Sequence, residues 1–376
     1  MRIGIDARMF HKAGIRRYET ELIRNLSQID TANHYTIYLS AKGRPGAFDN
    51  LGPNFTLEYL DAPLFSVREH LLFINRLRRD APDLIHTTFD FGVPLWPVSK
   101  IIVTVHDAFF GPCTFFRNIR TRLLYQILTR YSVGRASRII VISNFIKEKL
   151  LGQIPGVRHK VQQISVIPNG VGLEFVPGPK EGERERVNEK YGIRHNYILC
   201  VGSFASGIKN LPRILRAFTL LPGHVRKRYQ LVIAGEPLDR VPETSDAIRA
   251  LKEKDQIRCP GYVRDEDLPE LYRNAELFVF PSLHEGFGIP VLEAMACGTP
   301  VITSDSAAMP EVAGEAAIFV NPYDEREISR AITEVCTRDS LRRDLSRKGL
   351  ERARNYPWSK TAQKTLAVYE ALGNTR

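Results

Sequence analysis

Short apolar runs alternate with helix-like segments along most of the chain, and this alternation restricts the fold more than any other feature. In the first half the runs are MRIGIDAR, HYTIYLS, LIHTT, KIIVTVHD and RIIVIS. The segment GIRRYETELIRNLSQI places Tyr18, Leu22 and Leu26 four residues apart, which is typical of one apolar helix face. Buried strands alternating with amphipathic helices predict a parallel sheet covered by helices.

A second alternating series follows the stretch PGPKEGERERVNEKYG, whose Pro, Gly and charged residues favour a linker. Its strands are YILCVGS, YQLVIAG, IRCPGYV, LFVFPS and PVITSD, and its helices are LPRILRAFTLL, EDLPELYRNA and PVLEAMACG. A chain of 376 residues exceeds the size at which one hydrophobic core usually stops growing. Two domains of the α/β class are therefore expected.

We place one Rossmann-like domain at residues 1–178 and a second at residues 179–355. The last segment, 356–376, is predicted to form an amphipathic helix, with Ala362, Leu366 and Tyr369 on one side, that packs back on the first domain. Two such domains are expected to face a central cleft, because sheets of this class bind ligands at the carboxyl ends of their strands.

The positive charge is concentrated in the first half of the chain. Residues 1–180 contain 24 Lys and Arg against 14 Asp and Glu, whereas residues 181–376 contain 29 against 28. Such a field attracts nucleic acid, anionic lipid head groups or a phosphorylated substrate.

Five scattered cysteines argue against a disulfide framework or a zinc site. Asp6 lies where a signal peptide needs an apolar core, so we expect a cytoplasmic protein.

The segment HEGFGIPVLEAMACGTPVI combines two carboxylates with a glycine-rich helix start. Gly286 and Gly288 let backbone amides approach a ligand closely. The free amides and the dipole of a helix N-terminus bind anions, so a phosphate is expected along Glu285, Phe287 and Ile289.

Glu293 is predicted to lie in the first turn of that helix, among apolar side chains. One interpretation is a carboxylate stabilised by about 0.3–1 kcal/mol in the helix dipole. The other is a binding residue, because a buried carboxylate needs a hydroxyl or cation partner. Glu285 lies in the preceding loop, so we expect the two carboxylates to bind separate hydroxyl-bearing parts of one ligand. A nucleotide sugar has such parts, with phosphates between them.

With these motifs the chain resembles the retaining glycosyltransferases of family 4, which have the two-domain GT-B fold and a Glu-x7-Glu motif, here EGFGIPVLE. The resemblance includes GIDAR, GIRRY, VTVHD, VIPNGV, KNL, MPEV and YPW, and so spans nearly the whole chain. The chain looks most similar to bacterial mannosyltransferases that build surface polysaccharides such as O-antigen or exopolysaccharide.

The resemblance implies roles for individual residues in donor binding. Glu293 is expected to bind the donor ribose and Glu285 to face the transferred sugar, while the amides of residues 286–288 meet that sugar or the diphosphate. Lys209 is expected to neutralise the diphosphate beside the turn at Gly202 and Ser203. Without the resemblance, Lys209 is better interpreted as a solvated lysine at a helix start.

Two positions depart from the family pattern. The arginine that usually precedes the equivalent of Lys209 is missing, so Arg213 or Arg264 is expected to replace its charge. In the first loop, Gly14 is followed by Arg16 where the family has a second glycine. Arg16 either supplies the missing charge or blocks the loop.

Two histidines end apolar strands. His106 follows KIIVTV, and although a strand-end histidine is often only a satisfied polar residue, the VTVHD match favours function. The resemblance implies contact between His106 and the transferred sugar. His86, which ends DLIH, is left open between the two interpretations.

The expected mechanism uses neither a metal nor another cofactor. Asp265 and Asp267 form the Asp-x-Asp sequence DED, which is interpreted as helix capping rather than a magnesium site. The resemblance implies retention of the anomeric configuration, with the departing phosphate taking the acceptor proton. It favours GDP-mannose as donor, then a UDP-hexose, and a glycan or polyprenyl-diphosphate-linked acceptor on the first domain.

The segment FFRNIRTRLLYQILTRYSVGRASR interleaves arginines, among them Arg117, Arg120 and Arg130, with apolar residues. This pattern fits peripheral contact with the anionic inner face of the cell membrane, or else a core helix with a solvated basic face. An inactive family member that still binds nucleotide sugar or glycan is the alternative function. A nucleic-acid-binding protein is more remote, because the basic stretches contain no RNP-like or helix-turn-helix signature.

Overall fold

The structure is a computed structural model, and it describes residues 1–9, 13–40, 48–62, 66–95, 100–107, 119–178, 181–204, 206–235 and 256–374, without the side chains of 13 and 155. The chain forms two compact units. The first unit consists of Met1–Gly170 and Trp358–Arg376, and the second is Val171–Pro357.

The first unit contains a parallel sheet of seven strands in the order β3-β2-β1-β4-β5-β6-β7. Its strands are β1 (Arg2–Asp6), β2 (His34–Ser40), β3 (Phe55–Leu60), β4 (Leu84–Thr87), β5 (Lys100–Val105), β6 (Arg138–Val141) and β7 (Ile164–Val166). Its helices are α1 (Ala13–Ile29), α2 (Val67–Asp80), α3 (Ile119–Arg135), α4 (Asn144–Gln153), a 3₁₀ segment (Pro155–Gln163) and the C-terminal α13 (Trp358–Gly373).

Strands near the sheet centre are almost wholly buried, whereas the edge strand β3 is half-exposed. The central strands appear in the sequence as continuous apolar runs because both of their faces are covered. The edge strand FTLEYL lacks such a run, which is why the sequence analysis does not predict it.

The C-terminal helix α13 packs against α1 within the first unit. Its Thr361 hydroxyl donates to the carbonyl of Pro168 at 2.8 Å. A Cβ on Gly170 would lie 2.5 Å from the backbone nitrogen of Trp358, so a side chain at Gly170 would block this approach. Thr361, Ala362, Thr365 and Tyr369 form the buried face of the helix, and Leu366 lies beside it.

The second unit contains a parallel sheet of six strands in the order β10-β9-β8-β11-β12-β13. Its strands are β8 (Asn196–Gly202), β9 (Tyr229–Gly235), β10 (Ile257–Gly261), β11 (Leu277–Phe280), β12 (Val301–Ser304) and β13 (Ala317–Val320). Its helices are α5 (Glu183–Tyr191), α6 (Leu211–Thr219), α7 (Gly223–Arg226), α8 (Leu268–Arg273), α9 (Ile289–Ala296), α10 (Met309–Ala313), α11 (Glu325–Thr337) and α12 (Asp339–Ala353).

The strand order of both sheets reverses at one point, between β1 and β4 in the first unit and between β8 and β11 in the second. This is the doubly wound arrangement, in which ligands bind beyond the carboxyl ends of the strands at the reversal. The predicted α/β class with two Rossmann-like sheets is confirmed.

The polar stretch predicted as a linker contains helix α5, and it lies inside the second unit. Glu183, at the start of α5, is fully buried and forms two hydrogen bonds with Arg273 of α8, at 2.5 and 3.0 Å. Val187 and Tyr191 of α5 are also buried. The linker interpretation was wrong because this long-range ion pair is not visible in local composition.

Replacing Glu183 with Ala is expected to destabilise the second unit by about 3–5 kcal/mol, because it leaves the buried guanidinium of Arg273 unpaired. The matched control is Glu334→Ala, which removes an exposed ion pair with Arg338 and is expected to cost under about 0.5 kcal/mol. Urea unfolding measures both. Similar losses in the two variants would contradict a buried structural pair.

Among the described cysteines, Cys200, Cys297 and Cys336 are buried free thiols, whereas Cys259 is exposed. No helix in the described ranges is both long enough and apolar enough to cross a membrane.

Candidate functional site

The second unit brings two loops together at the point where its strand order reverses. One loop follows β8 and holds Lys209, and the other follows β11 and holds Glu285. The amide of Leu283 donates to the carbonyl of Ile208 at 2.9 Å, which joins the loops directly. Most of the donor-binding residues predicted from the sequence lie in or beside these two loops.

Asn210 fixes the position of Lys209, and the sequence analysis did not single it out. It is buried, and its backbone adopts the left-handed conformation with φ 59°. Its side-chain amide donates to the carbonyls of Pro281, at 3.0 Å, and Pro322, at 2.6 Å. Asn tolerates this backbone better than most residues, so Asn210 both turns the chain and anchors it to two neighbouring loops.

The stem of Lys209 lies along the end of β8. A Cβ on Gly202 would lie 3.3 Å from Lys209 Cγ. On the neighbouring strand, a Cβ on Gly235 would lie 1.9 Å from the Gly202 carbonyl oxygen, so this close backbone approach requires glycine. Ser203 directly follows the last residue of β8 and is exposed.

Lys209 forms an ion pair with Glu285, and the Ser282 hydroxyl donates to the same carboxylate oxygen, Oε1, at 2.9 Å. Both charged side chains are largely buried, with 19% and 13% of their surfaces exposed. The ammonium group also lies 4.6 Å from the ring centroid of Phe280. Lys209 is therefore held over the site, and the interpretation as a freely solvated lysine does not fit.

Helix α9 begins at Ile289, shortly after Glu285. Gly288 is its N-cap with φ 97°, a left-handed backbone conformation that favours glycine, and it packs against the end of the Met309 side chain. Phe287 is buried against Tyr356. Gly286 is also buried, while Ile289 opens the helix and is partly exposed. The start of α9 thus presents backbone amides close to Glu285.

Glu293 is 7% exposed and lies just beyond the first turn of α9, in which it was predicted. The helix begins at Ile289, so its first turn contains no acidic residue, and stabilisation by the helix dipole in that turn is not the explanation. The hydroxyl of Tyr272 donates to Glu293 Oε2 at 3.2 Å. This is the hydroxyl partner that the sequence analysis required for a buried carboxylate.

The two arginines considered as replacements for the missing cation have other partners. Arg213 donates to the side-chain oxygen of Asn210 at 3.1 Å and lies over the ring of Tyr323, so it supports the loop of Lys209. Arg264 is exposed and pairs with Glu266 and Asp267. Arg213 is therefore the candidate beside the site.

The capping interpretation of the DED sequence was wrong for Asp267. This residue precedes α8, but its backbone is already helical (φ −92°, ψ −17°), and its side chain forms no cap hydrogen bond. The carboxylate instead accepts from Lys190 at 2.8 Å and Tyr191 at 2.6 Å, as well as from Arg264. These three donors lower the pKa of Asp267 to about 2, against the opposing effect of desolvation. No metal-binding group of three or more His, Cys, Asp or Glu occurs among the described residues.

In the first unit, His106 directly follows β5 and is partly buried. Its Nε2 donates to the carbonyl of Thr88 at 2.8 Å, and its ring packs edge-on against Tyr18 with centroids 4.7 Å apart. Desolvation lowers the pKa of His106 to about 4. The imidazole is therefore neutral at physiological pH, with its proton on Nε2 and Nδ1 as an acceptor. Such a group can accept a hydrogen bond from a sugar hydroxyl.

His86 is fully buried, and both of its ring nitrogens have partners. Nδ1 lies 2.7 Å from the Tyr369 hydroxyl of α13, and Nε2 lies 2.7 Å from Thr104 Oγ1. Burial lowers the pKa of His86 to about 3. This geometry supports the structural interpretation for His86, in which it connects the C-terminal helix to the sheet.

The two neutral histidines predict how stability depends on pH. In the unfolded chain each takes up a proton near pH 6.5, whereas in the folded chain His106 does so near 4 and His86 near 3. Below pH 6.5 these two residues bind more protons in the unfolded chain, so their contribution to the unfolding free energy falls as the pH is lowered from about 6.5 to 4. The raised pKa values of the buried acids Asp90 and Glu19 contribute in the opposite direction. Urea unfolding across this range measures the slope. The variant His86→Gln is expected to reduce it by about 1.4 kcal/mol per pH unit, and an unchanged slope would contradict a neutral buried His86.

Gly14 and Arg16 lie in the first turns of α1, in the first unit. Gly14 is exposed, and a Cβ there would meet no atom within 4 Å, so packing does not require its missing side chain. Arg16 is partly exposed. Within their respective units, the structure places Gly202, Ser203, Lys209, Glu285 and the start of α9 together, and His106 beside α1.

The two sheets match solved glycosyltransferase structures along their full length. Sucrose-phosphate synthase from Thermosynechococcus elongatus aligns with a TM-score of 0.81 at 20% identity, covering 99% of both chains. WaaG, a glycosyltransferase involved in lipopolysaccharide biosynthesis, aligns with a TM-score of 0.76 at 16% identity, covering 98% of this chain and 99% of WaaG. The fold is therefore that of the GT-B class of glycosyltransferases.

Sequence comparisons define the family. Residues 13–175 match the model for Glycosyltransferase Family 4, and residues 183–352 match that for Glycosyl transferases group 1. O-antigen chain mannosyltransferase B of Escherichia coli is 30% identical over 296 residues, 78% of this chain and 76% of the relative. The serotype-specific mannosyltransferase WbdA of Escherichia coli is 31% identical over 63% of this chain but only 29% of its own length. The chain belongs to glycosyltransferase family 4 and is a glycosyltransferase.

Proposed function

We propose that this glycosyltransferase is a retaining mannosyltransferase that uses GDP-mannose and extends a glycan or polyprenyl-diphosphate-linked saccharide in the synthesis of O-antigen or exopolysaccharide. The observation that supports it best is the cluster of Lys209, Ser282 and Glu285 before the start of α9, with Glu293 buried in that helix. The names of the O-antigen mannosyltransferase relatives support mannose over other hexoses. A UDP-hexose is the second choice, since a structural neighbour, HepE, was solved with UDP-glucose.

The donor is proposed to bind with its diphosphate between Lys209 and the amides at the start of α9. The lysine supplies a full positive charge, and the helix N-terminus adds about half a charge together with its backbone amides. The buried carboxylate of Glu293 then binds the ribose hydroxyls, and Glu285 binds a hydroxyl of the transferred sugar. Because Ser282 and Lys209 both contact Glu285 Oε1, the second oxygen, Oε2, is the acceptor offered to the sugar.

Departure of the nucleoside diphosphate is proposed to need no metal. The bond from the sugar C1 to the phosphate oxygen breaks, and Lys209 with the α9 amides stabilises the negative charge that develops on the leaving group. The acceptor hydroxyl oxygen bonds to C1 on the same face, and its proton passes to the departing phosphate. Undiminished turnover in saturating EDTA supports this proposal, whereas a strict magnesium requirement contradicts it.

NMR analysis of the product anomer tests retention, which an inverted product would refute.

Peripheral contact with the inner face of the cell membrane is proposed for the first unit. Helix α3 contains four arginines and no acidic residue. Its large apolar residues at least half exposed are Ile119, Leu123, Leu124 and Ile127. Arginines beside exposed apolar side chains suit an anionic lipid surface. Arg117, at the start of the predicted segment, lies outside the described residues.

Helix α2 extends this exposed apolar surface. Val67 and Leu71, one turn apart, are both exposed, and so is Leu95, whose amide donates to His70 Nε2 of α2 at 3.2 Å. The adjacent Pro94 carbonyl accepts from Tyr131 of α3 at 3.1 Å, so residues 94–95 connect the two helices.

Liposome flotation tests this contact. The chain is expected to float with phosphatidylglycerol vesicles at physiological salt. The double variant Leu123→Asp/Ile127→Asp is expected to stay in the bottom fraction of the gradient. Leu173→Asp changes an exposed leucine of the second unit and serves as the control. No flotation of the wild-type chain, or equal loss in the control, would refute membrane contact.

Donor identity is tested by thermal shift with GDP-, UDP- and ADP-sugars. GDP-mannose is expected to raise the melting temperature most. A ligand that binds only the folded state stabilises it more at a given concentration when its Kd is lower. A larger shift with a UDP-sugar would identify that nucleotide sugar as the donor in place of GDP-mannose. No shift with any nucleotide sugar would contradict the proposed function.

A further inference from the structure

A carboxyl group of the first unit lies completely buried in α1, outside the residues assigned above. Glu19 is 0% exposed, and its neighbours include Asp6 and Arg8 of the β1 end, whose own side chains pair with each other at 2.7 and 2.8 Å. The direct partner of Glu19 is Thr88, also fully buried, whose Oγ1 lies 2.5 Å from Glu19 Oε1.

The hydrogen bonds of Thr88 define the protonation state of Glu19. Thr88 Oγ1 lies 2.7 Å from the Asp6 carbonyl oxygen, which can only accept, and 2.5 Å from Glu19 Oε1. A threonine hydroxyl has one hydrogen, so both contacts are hydrogen bonds only if Glu19 donates its own proton to Thr88. Glu19 Oε2 is buried and has no hydrogen-bond partner in the described part of the chain, as expected of a neutral acid rather than a carboxylate.

The electrostatic environment agrees with this assignment. Desolvation by burial is the largest cause that raises the pKa of Glu19 well above its ordinary value, and the charge of Asp6 adds to it against the smaller opposing charge of Arg8. Glu19 is therefore a hydrogen-bond donor at neutral pH.

Thr88 connects Glu19 to the candidate catalytic histidine. The backbone carbonyl of Thr88 accepts the Nε2 proton of His106 at 2.8 Å. Tyr18, the residue before Glu19, packs edge-on against the His106 ring, and its hydroxyl lies 3.1 Å from Thr104 Oγ1. Two consecutive residues of α1 thus hold the imidazole, one at its ring and the other through Thr88.

We propose that Glu19 is a positioning residue that, through Thr88, fixes the orientation and tautomer of His106, while Tyr18 fixes the ring. The inference rests on the proposed function and on the contact between His106 and the transferred sugar that the family resemblance implies, with Nδ1 as the acceptor. It adds that this acceptor is available only while the Nε2 proton is held by the Thr88 carbonyl. The sequence indicates nothing of this, because a glutamate in an amphipathic helix normally faces solvent.

The test compares Glu19→Gln, whose amide can still donate to Thr88, with Glu19→Leu, which cannot. ¹⁵N-detected NMR of the imidazoles is expected to show His106 protonated on Nε2 in the wild-type chain and in Glu19→Gln, and mixed tautomers in Glu19→Leu. With GDP-mannose, Glu19→Leu is expected to lose about 10- to 100-fold in kcat with little change in donor KM, and Glu19→Gln to stay within about 3-fold of wild type.

Thr365→Val is the matched control, because it removes a buried hydroxyl that donates to the Thr361 carbonyl of its own helix, α13, at 2.8 Å. Thr88→Val replaces Glu19→Leu if the latter does not fold. A wild-type His106 spectrum in Glu19→Leu and Thr88→Val, or equal kcat losses in Thr365→Val, would overturn the proposal. The NMR measurement needs no turnover, so a chain with no transferase activity that still shows the tautomer change would refute the proposed function alone.

Discussion

Replacing Glu285 with Gln is expected to lower kcat for sugar transfer by about 10²- to 10³-fold, the range seen when one preorganised polar contact to a transition state is removed. The carboxylate is oriented by the protein itself, since Ser282 and Lys209 both contact Oε1. Glutamine preserves the shape but removes the charge, and its amide nitrogen cannot accept a hydrogen bond from a sugar hydroxyl. Release of nucleoside diphosphate from GDP-mannose in the presence of acceptor measures the rate.

The control for this prediction is Glu334→Gln, an exposed glutamate of the same unit that pairs with Arg338. Its kcat is expected to equal that of the wild-type chain. A Glu285→Gln enzyme with wild-type kcat would show that this carboxylate does not act on the transferred sugar.

Replacing Lys209 with Met is expected to weaken binding of the free nucleoside diphosphate by about 10- to 100-fold, because a hydrogen bond to a charged group contributes about 1.5–3 kcal/mol. The effect on kcat is expected to be larger, since the charge on the leaving group increases as the bond to the sugar breaks. Calorimetric titration with GDP measures binding, and steady-state kinetics measure kcat. Lys209→Arg keeps the charge and is expected to retain part of both.

Because Lys209 and Glu285 contact each other, their variants are not expected to be additive. The double variant Lys209→Met/Glu285→Gln should lose less activity than the product of the two single losses, by an interaction energy of about 0.5–3 kcal/mol. Simple additivity would mean that the ion pair is absent when the enzyme works.

The sequence was sufficient to predict the two sheets because their central strands are covered on both faces and so appear as apolar runs, as in KIIVTV and YILCVG. The edge strand FTLEYL and helix α5 are determined by tertiary contacts instead. Helix α5 forms in a polar stretch because Arg273, far along the chain, neutralises buried Glu183. Local composition contains no record of such a pair.

The candidate site was predictable in its location but not in its contacts. The glycines and carboxylates from Glu285 to Glu293 indicated an anion-binding helix start, and α9 forms there. The ion pair between Lys209 and Glu285 joins residues 76 positions apart, and the support of Lys209 by Asn210 depends on a left-handed backbone. These features arise because β8 and β11 are neighbours at the sheet centre. The spacing of residues within one segment does not indicate which strands are neighbours.

The central claim is that the second unit binds a nucleotide sugar through Lys209 and Glu293, and calorimetric titration of GDP-mannose into the purified chain tests it without knowledge of the acceptor. The account predicts one site per chain, with affinity reduced about tenfold or more in Lys209→Met and in Glu293→Gln, and unchanged in Glu334→Gln. Absence of binding by any nucleotide sugar, or affinity that neither Lys209→Met nor Glu293→Gln alters, would contradict it.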